Sequence, residues 1–120
     1  MTAPPLKILL IEDEPPVRRV LTRLLTSLGH TVREAASGRE GLAQLEAGEP
    51  VDLVLTDLRM PDMSGWEVIK AVKARWPRLR VGIVTGTPQL LSQAPVQADL
   101  VITKPITLKE LRDSISRLGP

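Results

Sequence analysis

The chain has 120 residues, 42% hydrophobic and 25% charged, with a formal net charge of +2, the values of one ordinary globular domain with enough chain to bury a core. It contains no cysteine, which excludes disulfides, thiolate catalysis and cysteine-based zinc sites. No apolar run approaches the ~20 residues of a membrane span and MTAPPLK carries no signal-peptide pattern, so a cytoplasmic protein with no membrane contact is expected.

The first apolar run, Leu6 to Ile11, reads as a buried strand. Glu12, Asp13 and Glu14 follow at once, and then a helix starts at Pro15 or Pro16, where proline is tolerated in the first turn. Val17, Val20, Leu21, Leu24 and Leu28 are its expected inner face, and Gly29 ends it. His30, at the turn, reads as a surface residue. Thr31–Ala35 alternates in polarity and reads as an edge strand. Ser37-Gly-Arg-Glu40 has the pattern of a capping box, a hydroxyl and a glutamate that satisfy orphan helix N–H groups. It opens a helix carrying Leu42 and Leu45.

Val51–Thr56 is the third strand. A second capping box, Ser64-Gly-Trp-Glu67, opens a helix with Val68, Val72 and Trp76 on its stripe, which makes Trp76 a core residue and leaves Trp66 off the stripe. Arg80–Thr85 is the fourth strand. Pro88 and Pro95 then bracket only Gln89 to Ala94, so any fourth helix there is short or irregular. Asp99–Thr103 is the fifth strand. A third capping box, Thr107-Leu-Lys-Glu110, opens a last helix with Leu108, Leu111, Ile115 and Leu118 inward. Four of the strands are nearly continuous in Leu, Ile and Val, as a parallel sheet covered on both faces requires. Strand alternating with helix gives an α/β, doubly wound (βα)5 fold, a single domain over residues 1–120.

The basic residues Arg18, Arg19, Arg23, Lys70, Lys73, Arg75, Arg112 and Arg117 are scattered at helical spacing, and Trp66 and Trp76 are the only aromatics. They read as solvated helix faces, and no direct nucleic-acid contact is expected.

Carboxylates as close as Glu12, Asp13 and Glu14 repel, and something must offset that. In open parallel sheets, ligands sit beyond the carboxyl ends of the strands. Strand one delivers Glu12 and Asp13 to that edge, strand three Asp57, strand four Thr85 and strand five Lys104, with Pro105 next. Clustered carboxylates are a hard-oxygen site suited to Mg²⁺. EDEPP lacks the glycine-rich loop that cradles a nucleotide phosphate. What remains is a divalent metal beside a carboxylate nucleophile that can form an acyl phosphate, with Lys104 neutralising charge on the transferring group.

On these residues the chain resembles the receiver domain of two-component response regulators. The resemblance rests on Glu12-Asp13, the block Asp57-Leu-Arg-Met-Pro-Asp-Met-Ser-Gly65, Thr85, and Thr103-Lys104-Pro105, and it spans Leu6 to Leu118. It implies a flavodoxin-like five-stranded sheet in the order 2-1-3-4-5. It also implies that Asp57 is the phosphoacceptor for a histidine kinase or histidine phosphotransfer protein. Asp13, Asp57 and the backbone carbonyl of Arg59 would hold Mg²⁺ or Mn²⁺, with Glu12 acting through a metal-bound water. Thr85 and Lys104 would contact the phosphoryl oxygens, and the Lys104–Pro105 bond would be cis.

The chain departs from the family pattern in three places. Its acidic pair is Glu-Asp rather than Asp-Asp. The switch position before the lysine, commonly Tyr or Phe, is Val101, and the chain has no Tyr or Phe at all. The stretch from Thr85 to Lys104 is a few residues short. A phosphorylatable switch, not an enzyme on external substrates, is therefore expected; it would catalyse only its own phosphorylation and dephosphorylation. The alternative is a pseudo-receiver, a protein-interaction module that never takes phosphate. A phosphohydrolase is disfavoured because Arg59 offers no second acid to a leaving group. No output domain is expected after Leu118, and a monomer is expected.

Overall fold

The computed structural model describes residues 4–86 and 97–118. The apolar runs form five parallel strands, β1 (Lys7–Ile11), β2 (Thr31–Ala35), β3 (Leu53–Asp57), β4 (Arg80–Thr85) and β5 (Leu100–Thr103), in one sheet of order β2-β1-β3-β4-β5. Four helices accompany them among the described residues: α1 (Pro15–Ser27), α2 (Gly38–Glu46), α3 (Gly65–Arg75) and α4 (Leu108–Ser116). This is the doubly wound, flavodoxin-like fold expected from the sequence. The short helix expected between Pro88 and Pro95 lies outside the described residues.

Successive side chains of a strand point to opposite faces, so the sheet supports two cores. Ile8 and Leu10 of β1 face one core, with Leu21 and Leu25 of α1 and Leu111 and Ile115 of α4. Leu9 and Ile11 face the other, with Leu45 of α2 and Val68, Ile69 and Val72 of α3. β3 is buried along its whole length, whereas β2 at the sheet edge is mostly exposed. Register aligns the carboxyl ends: Ile11 pairs with Thr56, Asp57 with Val84, and Thr85 with Thr103. Whatever follows β1, β3, β4 and β5 therefore meets at one edge.

Four expectations about side-chain placement need correction. Val20 is 54% exposed and Leu25 takes its place in the core; the α1 stripe centres on Leu21 and Leu25, which rotates Val20 to its flank. Leu108 is 43% exposed; it is the first residue of α4, whose buried side is Leu111, Ser114 and Ile115. His30 is buried, not a surface residue. Gly29, at φ +96, turns the chain inward, and His30 Nδ1 accepts the Leu6 N–H at 3.0 Å. Desolvation lowers the His30 pKa, consistent with a neutral acceptor. Trp76 is only half-buried at the edge of the α2–α3 core, with the Arg75 guanidinium 4.6 Å above its ring.

The capping boxes are met to different degrees. Ser64 and Glu67 cap α3 reciprocally. Ser37 and Thr107 accept from the Glu40 and Glu110 N–H groups, but the Glu40 carboxylate takes the N–H of Ala36 instead of returning to Ser37.

Candidate functional site

β1 ends by carrying Glu12 to the sheet edge, where its side chain is 1% exposed. Its Oε2 accepts the Glu14 N–H at 3.2 Å. Asp57 closes β3 and is buried; its Oδ1 accepts the Leu58 N–H at 2.6 Å. Lys104 follows β5 and donates from Nζ to Asp57 Oδ2 at 3.2 Å and to Glu12 Oε1 at 3.4 Å. Its backbone N–H donates to the Thr85 carbonyl at 2.8 Å, and the Lys104–Pro105 peptide is cis. Thr85 is buried at the end of β4.

Glu12, Asp13 and Asp57 each offer a carboxylate oxygen, all within 4.8 Å of one another. The Lys104 ammonium pairs with two of them, Glu12 and Asp57. Burial pushes the Glu12 carboxyl up to about 7, and the Asp57 charge adds to this, against the Glu14 N–H and the Lys104 charge. For Lys104, burial works to lower the pKa, but the neighbouring Asp57 and Glu12 carboxylates outweigh it and raise it. Asp13 Oδ1 is buried and finds no hydrogen-bond donor among the described residues. A buried carboxylate oxygen without a donor is costly. Beside two more hard-oxygen donors, it fits a divalent cation such as Mg²⁺.

Glu12, Asp13, Asp57, Thr85 and Lys104 thus converge at one edge. Arg59 lies exposed in the loop after β3. Val101 is 40% exposed, on the outer face of edge strand β5. Trp66 packs at the margin of the α2–α3 core. Arg18, expected on a solvated helix face, is instead half-buried; its Nη1 donates to the Glu12 carbonyl at 2.8 Å and fixes the chain as it leaves β1. Its position one turn into the helix after the acidic cluster was the available signal.

The family model for the response regulator receiver domain matches residues 8–116. The chain belongs to this family. It is 35% identical to the sensor kinase CckA of Brucella abortus over 92% of this chain and 12% of that protein. It is 31% identical to a chemotaxis protein CheY homolog of Campylobacter jejuni over 92% of this chain and 89% of that protein. The structure of the response regulator TrrA of Thermotoga maritima, in complex with Mg²⁺-BeF, superposes with a TM-score of 0.84 at 28% identity, covering 93% of this chain and 97% of that one. The chain spans less than half the length of several longer regulators that it also matches.

Receiver domains are phosphorylatable switches of two-component systems rather than enzymes on external substrates. They bind Mg²⁺ at an acidic pocket and work with histidine kinases or phosphotransfer proteins. In this receiver, no described helix is long and apolar enough to cross a membrane.

Proposed function

We propose that this receiver accepts a phosphoryl group on Asp57 from the phosphohistidine of a histidine kinase or phosphotransfer protein, in a Mg²⁺- or Mn²⁺-dependent reaction that changes its partner binding. The observation that carries this reading is the buried Asp57 carboxylate, paired to Lys104 at 3.2 Å beside the orphaned Asp13 oxygen. Asp13, Asp57 and the Arg59 carbonyl would hold the metal, with Glu12 acting through a bound water. Bound there, the metal would screen negative charge on the incoming phosphoryl group.

The chain's own residues do the rest. Asp57 Oδ2, given up by Lys104, attacks phosphorus as the phosphorus–nitrogen bond of the donor breaks, giving an acyl phosphate and releasing the donor's imidazole. The Leu58 N–H holds the other carboxylate oxygen and so orients the nucleophile. Lys104 leaves its carboxylate partners for the phosphoryl oxygens, and the Thr85 hydroxyl completes their contacts. Water at the same phosphorus reverses the modification. The reading extends to a single receiver domain over residues 1–120, acting as a cytoplasmic monomer.

A second reading, an interaction module that is not phosphorylated, draws on the valine at position 101. Fluorine NMR with beryllofluoride and Mg²⁺ separates the two. A bound resonance that is lost in Asp57→Asn supports the switch, and no bound resonance in the wild type supports the module.

A further inference from the structure

The loop from Leu58 to Ser64 carries the Arg59 carbonyl, and it is tied down at three points. At its base, the Gly65 N–H donates to the Leu58 carbonyl at 2.8 Å. The Leu58 N–H in turn holds Asp57 Oδ1, so the placement of the loop is also the placement of the nucleophile. At its tip, Asp62 reaches the first turn of α2: Oδ1 accepts the Gly38 N–H at 3.3 Å and Oδ2 the Arg39 N–H at 3.0 Å. Beside that contact the Met63 side chain lies against Gly38, where a Cβ would collide with Met63 Cγ and Sδ.

The first N–H groups of a helix have no partner within it. In α2, Ser37 serves Glu40, while Gly38 and Arg39 are served by a residue 24 and 23 positions away. These N–H donors also hold the Asp62 carboxyl below its ordinary range, against the opposing effect of desolvation. The bond is therefore made to the ionised form, and such bonds are the stronger kind.

We propose that Asp62 is a positioning residue for metal-dependent phosphoryl transfer: by fastening the tip of the 58–64 loop to the first turn of α2, it sets how the loop presents the Arg59 carbonyl and orients Asp57. The inference rests on the reading of the pocket given under Proposed function. Asp62 touches none of the reacting groups itself.

The test is Mg²⁺ titration calorimetry on the metal-free protein, with hydrogen exchange of the loop amides as a second readout. Asp62→Ala is expected to weaken Mg²⁺ by about tenfold, the usual effect of removing a support behind a metal ligand, and to speed exchange at Leu58, Arg59 and Met60. Asp62→Asn, which keeps one carbonyl acceptor, is expected to fall between it and the wild type. Ser37→Ala removes a cap of α2 without touching the loop, and is expected to keep the wild-type affinity and loop exchange. An Asp62→Ala protein with unchanged affinity and exchange would overturn the inference. So would an equal loss in Ser37→Ala, which would mean that only the helix was weakened. A wild-type protein that fails to bind Mg²⁺ would instead overturn the reading of the pocket, and this inference with it.

Discussion

Lys104 Nζ stands 3.2 Å from Asp57 Oδ2 and 3.4 Å from Glu12 Oε1, so one ammonium is shared by two buried carboxylates from different strands. Lys104 ties β5 to β1 and β3 at the edge where the chemistry is proposed. It also sets a positive charge beside the proposed nucleophile, while burial raises the pKa of its neighbour Glu12.

Replacing the ammonium with an apolar side chain of similar length exposes this dependence. Lys104→Met is expected to lose roughly 1–3 kcal/mol at pH 8 without metal, because two buried carboxylates are left facing one another. At pH 5 the loss should shrink, since a protonated Glu12 can donate to Asp57 itself. Urea unfolding at the two pH values, with a chelator present, measures both.

The raised pKa of Glu12 makes a signed prediction. In the folded protein it stands near 7, against an ordinary value of 4.5. Its contribution to stability is therefore fully present below about 4.5 and is lost as pH rises through about 7. His30 runs the other way: its lowered pKa contributes stability that is lost as pH falls. The difference between wild type and Glu12→Gln isolates the first effect. In metal-free buffer the melting temperature of the variant should gain on the wild type from pH 5 to about pH 7 and level off above it.

Asp13 is the carboxylate with least to lose. Its Oδ1 is buried without a donor among the described residues, and its charge repels Glu12 and Asp57. Asp13→Asn is expected to raise metal-free stability by about 1 kcal/mol and to abolish the gain that Mg²⁺ gives the wild type. Thermal melts with and without Mg²⁺ check both halves.

Two glycines hold the loop after β3, with different tolerance. A Cβ at Gly65 would lie 2.5 Å from the Asp57 carbonyl oxygen and 2.9 Å from Leu58 Cα, both backbone atoms. At Gly38 the closest obstacles are the flexible end of Met63. Gly65→Ala should therefore cost about 1–3 kcal/mol, and Gly38→Ala clearly less; chemical denaturation of the two variants gives the comparison.

Much of this was legible in the sequence because it follows from local pattern. LKILLI, VDLVLT and VGIVT could only be strands of a two-sided sheet. Opposite charges placed after such strands, Glu12 and Asp13 against Lys104 with Asp57 between, marked the edge where they meet. What was not legible depends on phase or on distant contacts. Val20 and Leu25 both fit an apolar helical stripe, and only packing on the sheet chose Leu25. His30 looked like a turn residue because its partner, the Leu6 N–H, lies 24 residues away. Asp62 stood within the recognised block, but nothing in the sequence said that its carboxylate would serve α2.

The central claim is that Asp57 takes a phosphoryl group with the help of a metal held by its acidic neighbours. Intact mass after incubation with acetyl phosphate and Mg²⁺ tests it most directly, beside Asp57→Asn and chelator controls. The account predicts one added phosphoryl group in the wild type and none in either control. An unmodified wild type, or an adduct that survives in Asp57→Asn, would contradict it.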